Sequence, residues 1–302
     1  MLVEVRMATE LKIGLLTRNE NAWCSARIKK ALRQRNATPV CFKFSDLVAK
    51  ISFKPEVVAK NFNLITELSA VIVRPIGRGS LEECLFRLDV LHRIERLGVP
   101  IFNPPSAIEK AVDKYYALTK LEEHGIPVPR TVVTENASEA LKVFPELGGD
   151  VIVKPIFGSR GIGMTRVSDP EVAARVFRTL EYYRHVIYIQ EFVPHGTKDI
   201  RALVVGDHVI AAMYRVAENW KTNVSQGAKP VPHKLEEDME SLVVNAAKAI
   251  GCEIAGVDVI EGPNGPLVNE INSQPGFRGL QLTTKVDIAQ KIVDHVISKA
   301  RR

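Results

Sequence analysis

One turn constrains this chain more than any other feature. At Gly262-Pro263-Asn264-Gly265 the backbone must reverse. Apolar residues alternate with polar ones on either side, in Val257-Asp258-Val259-Ile260 before the turn and Leu267-Val268-Asn269-Glu270-Ile271-Asn272 after it. Such a turn between alternating runs predicts a two-stranded hairpin. Alternation sets Glu270 and Asn272 on one face of the second strand, with Asp258 on the strand beside them. Two carboxylates and an amide oxygen make a candidate metal site, and oxygen donors of this kind suit Mg²⁺, with positions left for water and nucleotide phosphates. The competing reading is a solvated polar face. It serves for Asp258 alone but weakens for the trio, because Asp258 and Glu270 sit in runs too apolar for ordinary surface.

The 302 residues suffice for two or three lobes, and 46% hydrophobic with 25% charged residues is the composition of an ordinary globular protein. No apolar run reaches membrane-spanning length and no secretion signal opens the chain, so a cytoplasmic protein without membrane contact is expected. Cys24, Cys41, Cys84 and Cys252 are far apart, which argues against a zinc site or a disulfide framework. A formal charge of +6 favours anionic partners. No basic run is interleaved with aromatics, so nucleotides or phosphorylated metabolites fit better than nucleic acid.

Residues 1–10 read as an irregular lead-in, with Met7 an alternative start. Strands at 11–16, 39–44, 70–75 and 100–102 alternate with helices at 22–34 and 81–97, the pattern of a doubly wound parallel lobe. Ligands of such lobes meet loops at the carboxyl ends of the strands. Two loops there are unusual: Thr17-Arg18-Asn19-Glu20, and Arg74-Pro75-Ile76-Gly77-Arg78-Gly79-Ser80. Arg74 and Arg78 could hold an anionic acceptor, although a plain strand-to-helix turn explains the segment as well.

Asn103-Pro104-Pro105-Ser106 marks a boundary. Ser106 and Asp113 can each begin a short helix, the second containing Lys114. Strand 151–155 brings Lys154 to the start of Ile156-Phe157-Gly158-Ser159-Arg160-Gly161-Ile162-Gly163-Met164, whose glycines free backbone N–H groups to fold around phosphate oxygens. No Lys-Ser/Thr follows the last glycine, so this is not a P-loop. Another strand, 164–167, follows directly, so the segment reads as a flexible hairpin over a nucleotide or as an ordinary turn. Beyond a helix at 170–180, strand 186–193 ends at Pro194, a plausible adenine seat. Strands 198–205 and 208–216 flank Gly206-Asp207 and carry Arg201 and Arg215, which beside a carboxylate face read as phosphate clamps. Residues 217–229 form a long polar loop, the kind that carries function. Helices at 236–250 and 287–299 complete the chain, with Arg301-Arg302 as a solvated tail.

Taken together, these residues resemble the RimK-type ATP-grasp ligases, which add L-glutamate to a carboxylate acceptor. The resemblance rests on Lys114, Lys154, Gly158-Ser159-Arg160-Gly161-Ile162-Gly163, Gln190-Glu191-Phe192-Val193, Asp199-Ile200-Arg201, Trp220-Lys221-Thr222-Asn223, Asp258 and Asn269-Glu270-Ile271-Asn272-Ser273-Gln274-Pro275-Gly276. It implies an α/β fold, α+β in its C-terminal part, with a pre-ATP-grasp acceptor-side domain over 1–103, a central subdomain with the lid loop over 104–190 and a metal-bearing subdomain over 191–302. Lys114, Lys154 and the glycine-rich loop would contact ATP phosphates, Gln190-Glu191-Phe192-Val193 would seat adenine, and Asp199 would lie near the ribose. Lys221 and Asn223 would approach phosphate. Asp258, Glu270 and Asn272 would bind two Mg²⁺ or Mn²⁺ ions. Two positions depart from the family pattern: Lys221 stands where Arg is common, and Arg278 where Glu is common. The run from Ser273 to Gln281, with Arg74-Pro75-Ile76-Gly77, looks most like archaeal enzymes that glutamylate tetrahydromethanopterin.

The chemistry implied is attack of the acceptor carboxylate on the γ-phosphoryl group, giving an acylphosphate that the glutamate amine then opens. Arg201, Arg215 and Arg278 are the catalytic candidates, as planar guanidinium groups for carboxylates and developing charge. A deazaflavin coenzyme, an amino-group carrier protein and a ribosomal-protein tail are alternative acceptors. A nucleotide-binding regulatory module without turnover is the reading of another class. A nicotinamide-dependent oxidoreductase would need a glycine fingerprint after residues 11–16, and none is there. Assembly as a dimer or tetramer is expected from the shape of such ligases.

Overall fold

The computed structural model describes residues 11–77, 79–158, 161–224 and 227–301. The lead-in at 1–10, together with Arg78, Ser159, Arg160 and Arg302, lies outside them.

The N-terminal lobe is built on β1 (Leu11–Leu16), α1 (Trp23–Gln34), β2 (Ala37–Phe42), β3 (Leu47–Ala49), β4 (Val57–Ala59), β5 (Phe62–Asn63), α2 (Leu64–Glu67), β6 (Ala70–Val73), α3 (Leu81–Arg96) and β7 (Ile101–Phe102). Strands β2-β1-β6-β7 form one parallel sheet, as the alternation of strand and helix predicts. The passage from β2 to β6 differs: a small antiparallel sheet, β3-β4-β5, replaces a full crossover helix. Its strands are two or three residues long, too short for periodicity to register.

Two helices then lead out of the lobe, α4 (Pro105–Val112) and α5 (Lys114–Glu123). Pro104 rather than Ser106 caps the first, with Pro105 at its first position, where a missing N–H costs nothing. Asp113 caps the second as predicted, accepting from the N–H groups of Tyr115 and Tyr116. The cap fixes Lys114 at the very start of α5.

The central sheet joins β8 (Thr131–Thr134), β9 (Val151–Lys154), β10 (Thr165–Val167) and β11 (Ile187–Glu191), covered by α6 (Ala137–Val143) and α7 (Pro170–Tyr182). Its order is β10-β9-β11-β8, antiparallel throughout. The glycine-rich segment therefore connects two hairpin strands, as read from the sequence.

The C-terminal sheet, β14-β13-β12-β15-β16, is antiparallel throughout and comprises β12 (Lys198–Val205), β13 (His208–Val216), β14 (Lys229–His233), β15 (Ile254–Gly262) and β16 (Gly265–Asn272). The edge strand β14 was not predicted. It carries Pro230 and Pro232, which an edge tolerates and sequence patterning reads as loop.

One face of this sheet is continuous with α5 and α8 (Glu237–Ile250) through Ala202, Val204, Val257, Val259, Val268 and Ile271. Half of the other face, at Leu203, Val205, Met213 and Ile254, packs into the core of the N-terminal lobe, together with α9 (Arg278–Gln281) and α10 (Ile288–Lys299). The remaining half of that face is polar. Arg301, expected in a solvated tail, instead ties α10 to the N-terminal lobe. Its Nε donates to the Leu68 carbonyl at 2.9 Å, its Nη2 to Ile65, and its backbone N–H to Ser69 at 3.0 Å.

Candidate active site

A cleft opens between the central sheet and that polar half-face. Lys114 enters it from the start of α5, Lys154 from the end of β9, and residues 190–193 from the end of β11. Asp199, Arg215, Asp258, Asn269 and Glu270 line the opposite wall.

The two lysines are held by neutral oxygens. Lys154 Nζ donates to the side-chain oxygen of Gln190, and to that of Asn269 at 3.1 Å. Lys114 Nζ donates to the carbonyls of Gly158 at 3.0 Å and Ile156 at 3.3 Å. Burial pulls the Lys154 ammonium down to a pKa of about 8 and lowers that of Lys114 as well, partly offset in each case by the Glu270 carboxylate. Desolvated cations bonded mainly to amide oxygens form a site that an entering polyanion would stabilise. The glycine-rich hairpin suits close approach: a Cβ on Gly158 would sit 3.0 Å from Pro155 Cγ, and Gly161 and Gly163 adopt φ of +69° and +80°.

On the opposite wall, strict alternation fails in a useful way. Asp258 pairs with Glu270, but Val259 pairs with Val268, so Asn269 is the extra residue of a β-bulge. Val268 and Ile271 both reach the core beneath, three residues apart. Asn269 and Glu270 consequently both line the cleft, where an unbroken strand would have pointed Asn269 away. That three-residue apolar spacing is the signal in the sequence that could have revealed Asn269.

Behind Glu270 runs a chain of buried charges. Arg201 Nε lies 2.8 Å from Asp258 Oδ1, and Arg215 Nη2 lies 3.2 Å from Asp258 Oδ2. Arg215 also grips Asp199 through Nε, at 2.7 Å, and Nη2. Thr222 Oγ1 donates to Asp199 at 2.6 Å. Burial pushes the Asp258 carboxyl up, while Arg201 and Arg215 pull it back toward the anion. Burial alone would disfavour the Arg215 cation, but Asp258 and Asp199 hold it charged well above its ordinary range. Breaking one member of such a chain leaves its neighbour buried and unpaired.

At the far end of the cleft, Phe192 is capped by the Arg166 guanidinium 3.5 Å above its ring, and Asp150 holds that guanidinium at 2.8 and 2.5 Å. The Trp220 ring meets Phe192 edge-on, with centroids 6.2 Å apart. Glu191 accepts from the backbone N–H and Nε of Arg130, at 2.9 and 2.6 Å, so its carboxylate is already committed. Ile152, Ile260 and Met164 add apolar wall. The cleft thus has an aromatic and apolar end and a cationic end with two ammonium groups.

The structure thus brings Lys114, Lys154, Gly158, Gly161, Ile162, Gln190, Glu191, Phe192, Val193, Asp199, Arg215, Lys221, Asn223, Asp258 and Glu270 to one cleft. Gly163 and Arg201 are not in the lining, and others are placed differently. Asp199 lines the cleft, yet its carboxylate is taken up by Arg215 and Thr222. Asn272 is half-buried behind the rim, its amide nitrogen 3.4 Å from the Gly256 carbonyl. Arg278 is exposed on α9 and has no ion pair among the described residues. Arg74 is 7% exposed at the end of β6, with Nη2 donating to the Pro275 carbonyl at 3.0 Å. It faces the segment after β16 rather than the cleft. Thr222 and Trp220 enter the sequence reading only within Trp220-Lys221-Thr222-Asn223 and without a role of their own, because a polar loop shows no periodicity.

The donor set fits a hard divalent cation. Asp258 Oδ1 is buried without a hydrogen bond, since the neighbouring Arg201 N–H does not point at it. Glu270 makes no hydrogen bond or ion pair among the described residues, and no cluster of three His, Cys, Asp or Glu side chains occurs among them. The unpaired Glu270 carboxylate, with the Asp258 oxygen that accepts no hydrogen bond, offers the oxygen-only donors that Mg²⁺ requires.

Comparison with known proteins shows the family. Residues 111–296 match the RimK-like ATP-grasp domain and residues 11–108 the RimK PreATP-grasp domain. The chain is 35% identical over 296 residues to the tetrahydromethanopterin:alpha-L-glutamate ligase of Methanococcus maripaludis, covering 96% of this chain and 99% of that one. It is 36% identical to the protein of the same name from Methanocaldococcus jannaschii, covering 95% and 98%. Among solved structures, the ATP-grasp ligase PsnB with its minimal precursor superposes with a TM-score of 0.77 at 21% identity, covering 96% and 99%. A RimK domain protein from Sphaerobacter thermophilus gives 0.74 at 19%, covering 94% and 98%. The chain belongs to the RimK-like ATP-grasp family of ligases.

Proposed function

We propose that this enzyme uses ATP to join the amine of L-glutamate to a carboxylate of tetrahydromethanopterin, releasing ADP and phosphate. The observation that carries the reading is the convergence of Lys114, Lys154, Asp258 and Glu270 on one cleft with an aromatic seat at its end. The acceptor follows the two relatives of that name, which this chain matches almost end to end. A second reading, the same chemistry on another acceptor, is favoured by relatives named only as probable alpha-L-glutamate ligases, at 30% identity over 295 residues in Vibrio parahaemolyticus.

Lys114 and Lys154 bind the triphosphate and offset its charge. Glu270 and Asp258 would hold Mg²⁺, which when bound would neutralise phosphate oxygens; Asn272, outside the cleft lining, would join them only by turning its side-chain oxygen toward Glu270. An acceptor carboxylate oxygen attacks the γ-phosphorus, the bond to the bridging oxygen breaks and ADP leaves. The glutamate nitrogen then attacks the acyl carbon, phosphate departs and the nitrogen loses a proton. Arg215 and Arg201, fixed by Asp199 and Asp258, supply positive potential to that wall. Positioning rather than covalent catalysis does most of the work, so no nucleophile is assigned. The acceptor enters from the side of residues 1–103, with 104–190 and 191–302 closing on the nucleotide. A homo-oligomeric, cytoplasmic enzyme is consistent with this chemistry, and no helix of the described residues is long and apolar enough to cross a membrane.

The test is incubation with ATP, Mg²⁺, L-glutamate and a panel of acceptors, followed by mass spectrometry. A glutamyl increment on the pterin and on no peptide is expected. An increment on a peptide or deazaflavin alone would move the assignment to the second reading.

A further inference from the structure

Thr222 sits between Lys221 and Asn223 in the polar loop after β13, and it is only 6% exposed. Its hydroxyl is inserted into the charge chain at Asp199, 2.6 Å from Oδ2. Asp199 is itself 4% exposed and already doubly bonded to Arg215. On one side of Thr222, the Lys221 ammonium donates to the Met164 carbonyl, at 3.1 Å, where the glycine-rich hairpin returns to β10. Just before it, Trp220 packs edge-on against Phe192. The loop therefore touches three parts at once: the lid hairpin, the aromatic seat and the buried chain that ends at Asp258.

We infer that Thr222 is a positioning residue, a latch whose hydroxyl pins this loop to Asp199 so that Lys221 and Asn223 are held over the nucleotide. The latch requires a hydroxyl, because a buried carboxylate oxygen rewards a donor and an apolar side chain of the same shape offers none. It does not carry the charge balance, since Arg215 still pairs with Asp199 when Thr222 is replaced. That separation makes it testable without dismantling the floor of the site. Lys221 alone would not serve as the latch: its partner is the Met164 carbonyl of the glycine-rich hairpin, not a group of the buried charge chain.

The inference rests on the proposed nucleotide cleft, so the decisive measurement is made first on nucleotide-free protein. Backbone amide exchange over residues 219–224 is compared in wild type, Thr222→Val and Thr222→Ser. Exchange about tenfold faster in Thr222→Val, with Thr222→Ser within about twofold of wild type, is expected for the loss of one hydroxyl bond of about 1.4 kcal/mol. Binding of ADP, followed by Trp220 fluorescence in a Trp23→Phe background, should weaken about tenfold in Thr222→Val and recover in Thr222→Ser, with KM for ATP moving more than kcat. Equal exchange in Thr222→Val and wild type overturns the latch, and so does weak binding that Thr222→Ser fails to restore. If Thr222→Val does not fold, Thr222→Ala, which removes the hydroxyl without overfilling the site, replaces it in the same comparison. A wild type that binds no ADP would overturn the nucleotide reading while the exchange data still decide the latch.

Discussion

The Lys154 ammonium reaches across the cleft to the side-chain oxygen of Asn269, 3.1 Å away, and so joins the central sheet to the bulged strand of the C-terminal sheet. The bond exists because the bulge turns Asn269 to the same side as Glu270. Lys154 is thereby aimed by both walls, with Gln190 on its own sheet and Asn269 opposite.

Replacing Asn269 by Ala removes one acceptor from a charged donor, worth about 1–2 kcal/mol. The ammonium keeps Gln190 but loses its aim. ATP affinity should fall by about tenfold, with little change in the unfolding midpoint, because Asn269 makes its bond into the cleft. Calorimetric titration with ADP beside thermal unfolding checks this. A stability loss with unchanged affinity would make Asn269 a structural residue only.

Lys154 also makes nucleotide binding depend on pH. Burial lowers its pKa from 10.5 to about 8, so the free enzyme sheds this proton as pH rises through about 8, whereas a bound polyphosphate favours the ammonium. Binding of ADP at about pH 8.5 should take up a proton, and binding at about pH 6.5 should not. Calorimetry in two buffers of different ionisation enthalpy reads the uptake, which Lys154→Met should abolish. The same depressed pKa costs stability where the lysine is charged in both states, below about 8. That cost is relieved as pH climbs from 8 toward 10.5.

How much of this was legible follows from the kind of signal each part carries. β1 and β12 lie where patterning puts them, and Asp113 starts α5 as a capping residue should. Asp258 and Glu270 stood out as candidates because charged groups are rare inside apolar runs, and the structure sets both in the cleft lining. Whether a carboxylate is free or already paired was not visible: Asp199 and Glu191 read as ligand contacts, yet Arg215 and Arg130 hold them. Those partners lie 16 and 61 residues away, and only folding brings them together. The bulge at Asn269 was readable in principle, from Val268 and Ile271 spaced three apart. Short strands such as β3, β4 and β5 left no period to read.

Glu270 is the carboxylate of the floor without an ion pair among the described residues, so it is the one left free for Mg²⁺. Glu270→Gln should cut turnover by about 10²–10³-fold while ADP still binds in the absence of Mg²⁺, its negative charge no longer opposing the phosphates. The Mg²⁺ dependence of ADP affinity should weaken in parallel. Near-normal turnover, or an unaltered Mg²⁺ dependence, would remove Glu270 from the metal site.

Asn103 supports the segment after β16 from beneath. It is 1% exposed, and its Oδ1 accepts from the backbone N–H groups of Glu253 and Ile254, both at 2.8 Å. Its Nδ2 donates to the Ile254 carbonyl at 2.7 Å and to that of Ser273. Above Asn103, Gln274 accepts from the Ile76 N–H at 3.3 Å and Pro275 accepts from Arg74. The segment is thus fixed to the N-terminal lobe by three side chains and stands away from the phosphate end of the cleft. Asn103→Ala strands two buried N–H groups and should lower stability by about 2–4 kcal/mol, read as a shifted urea midpoint. On the proposed reading, in which the acceptor enters from the side of residues 1–103, KM for the acceptor should rise severalfold while ADP affinity stays near wild type. Equal loss of both would mean that Asn103 holds the whole C-terminal sheet rather than this segment.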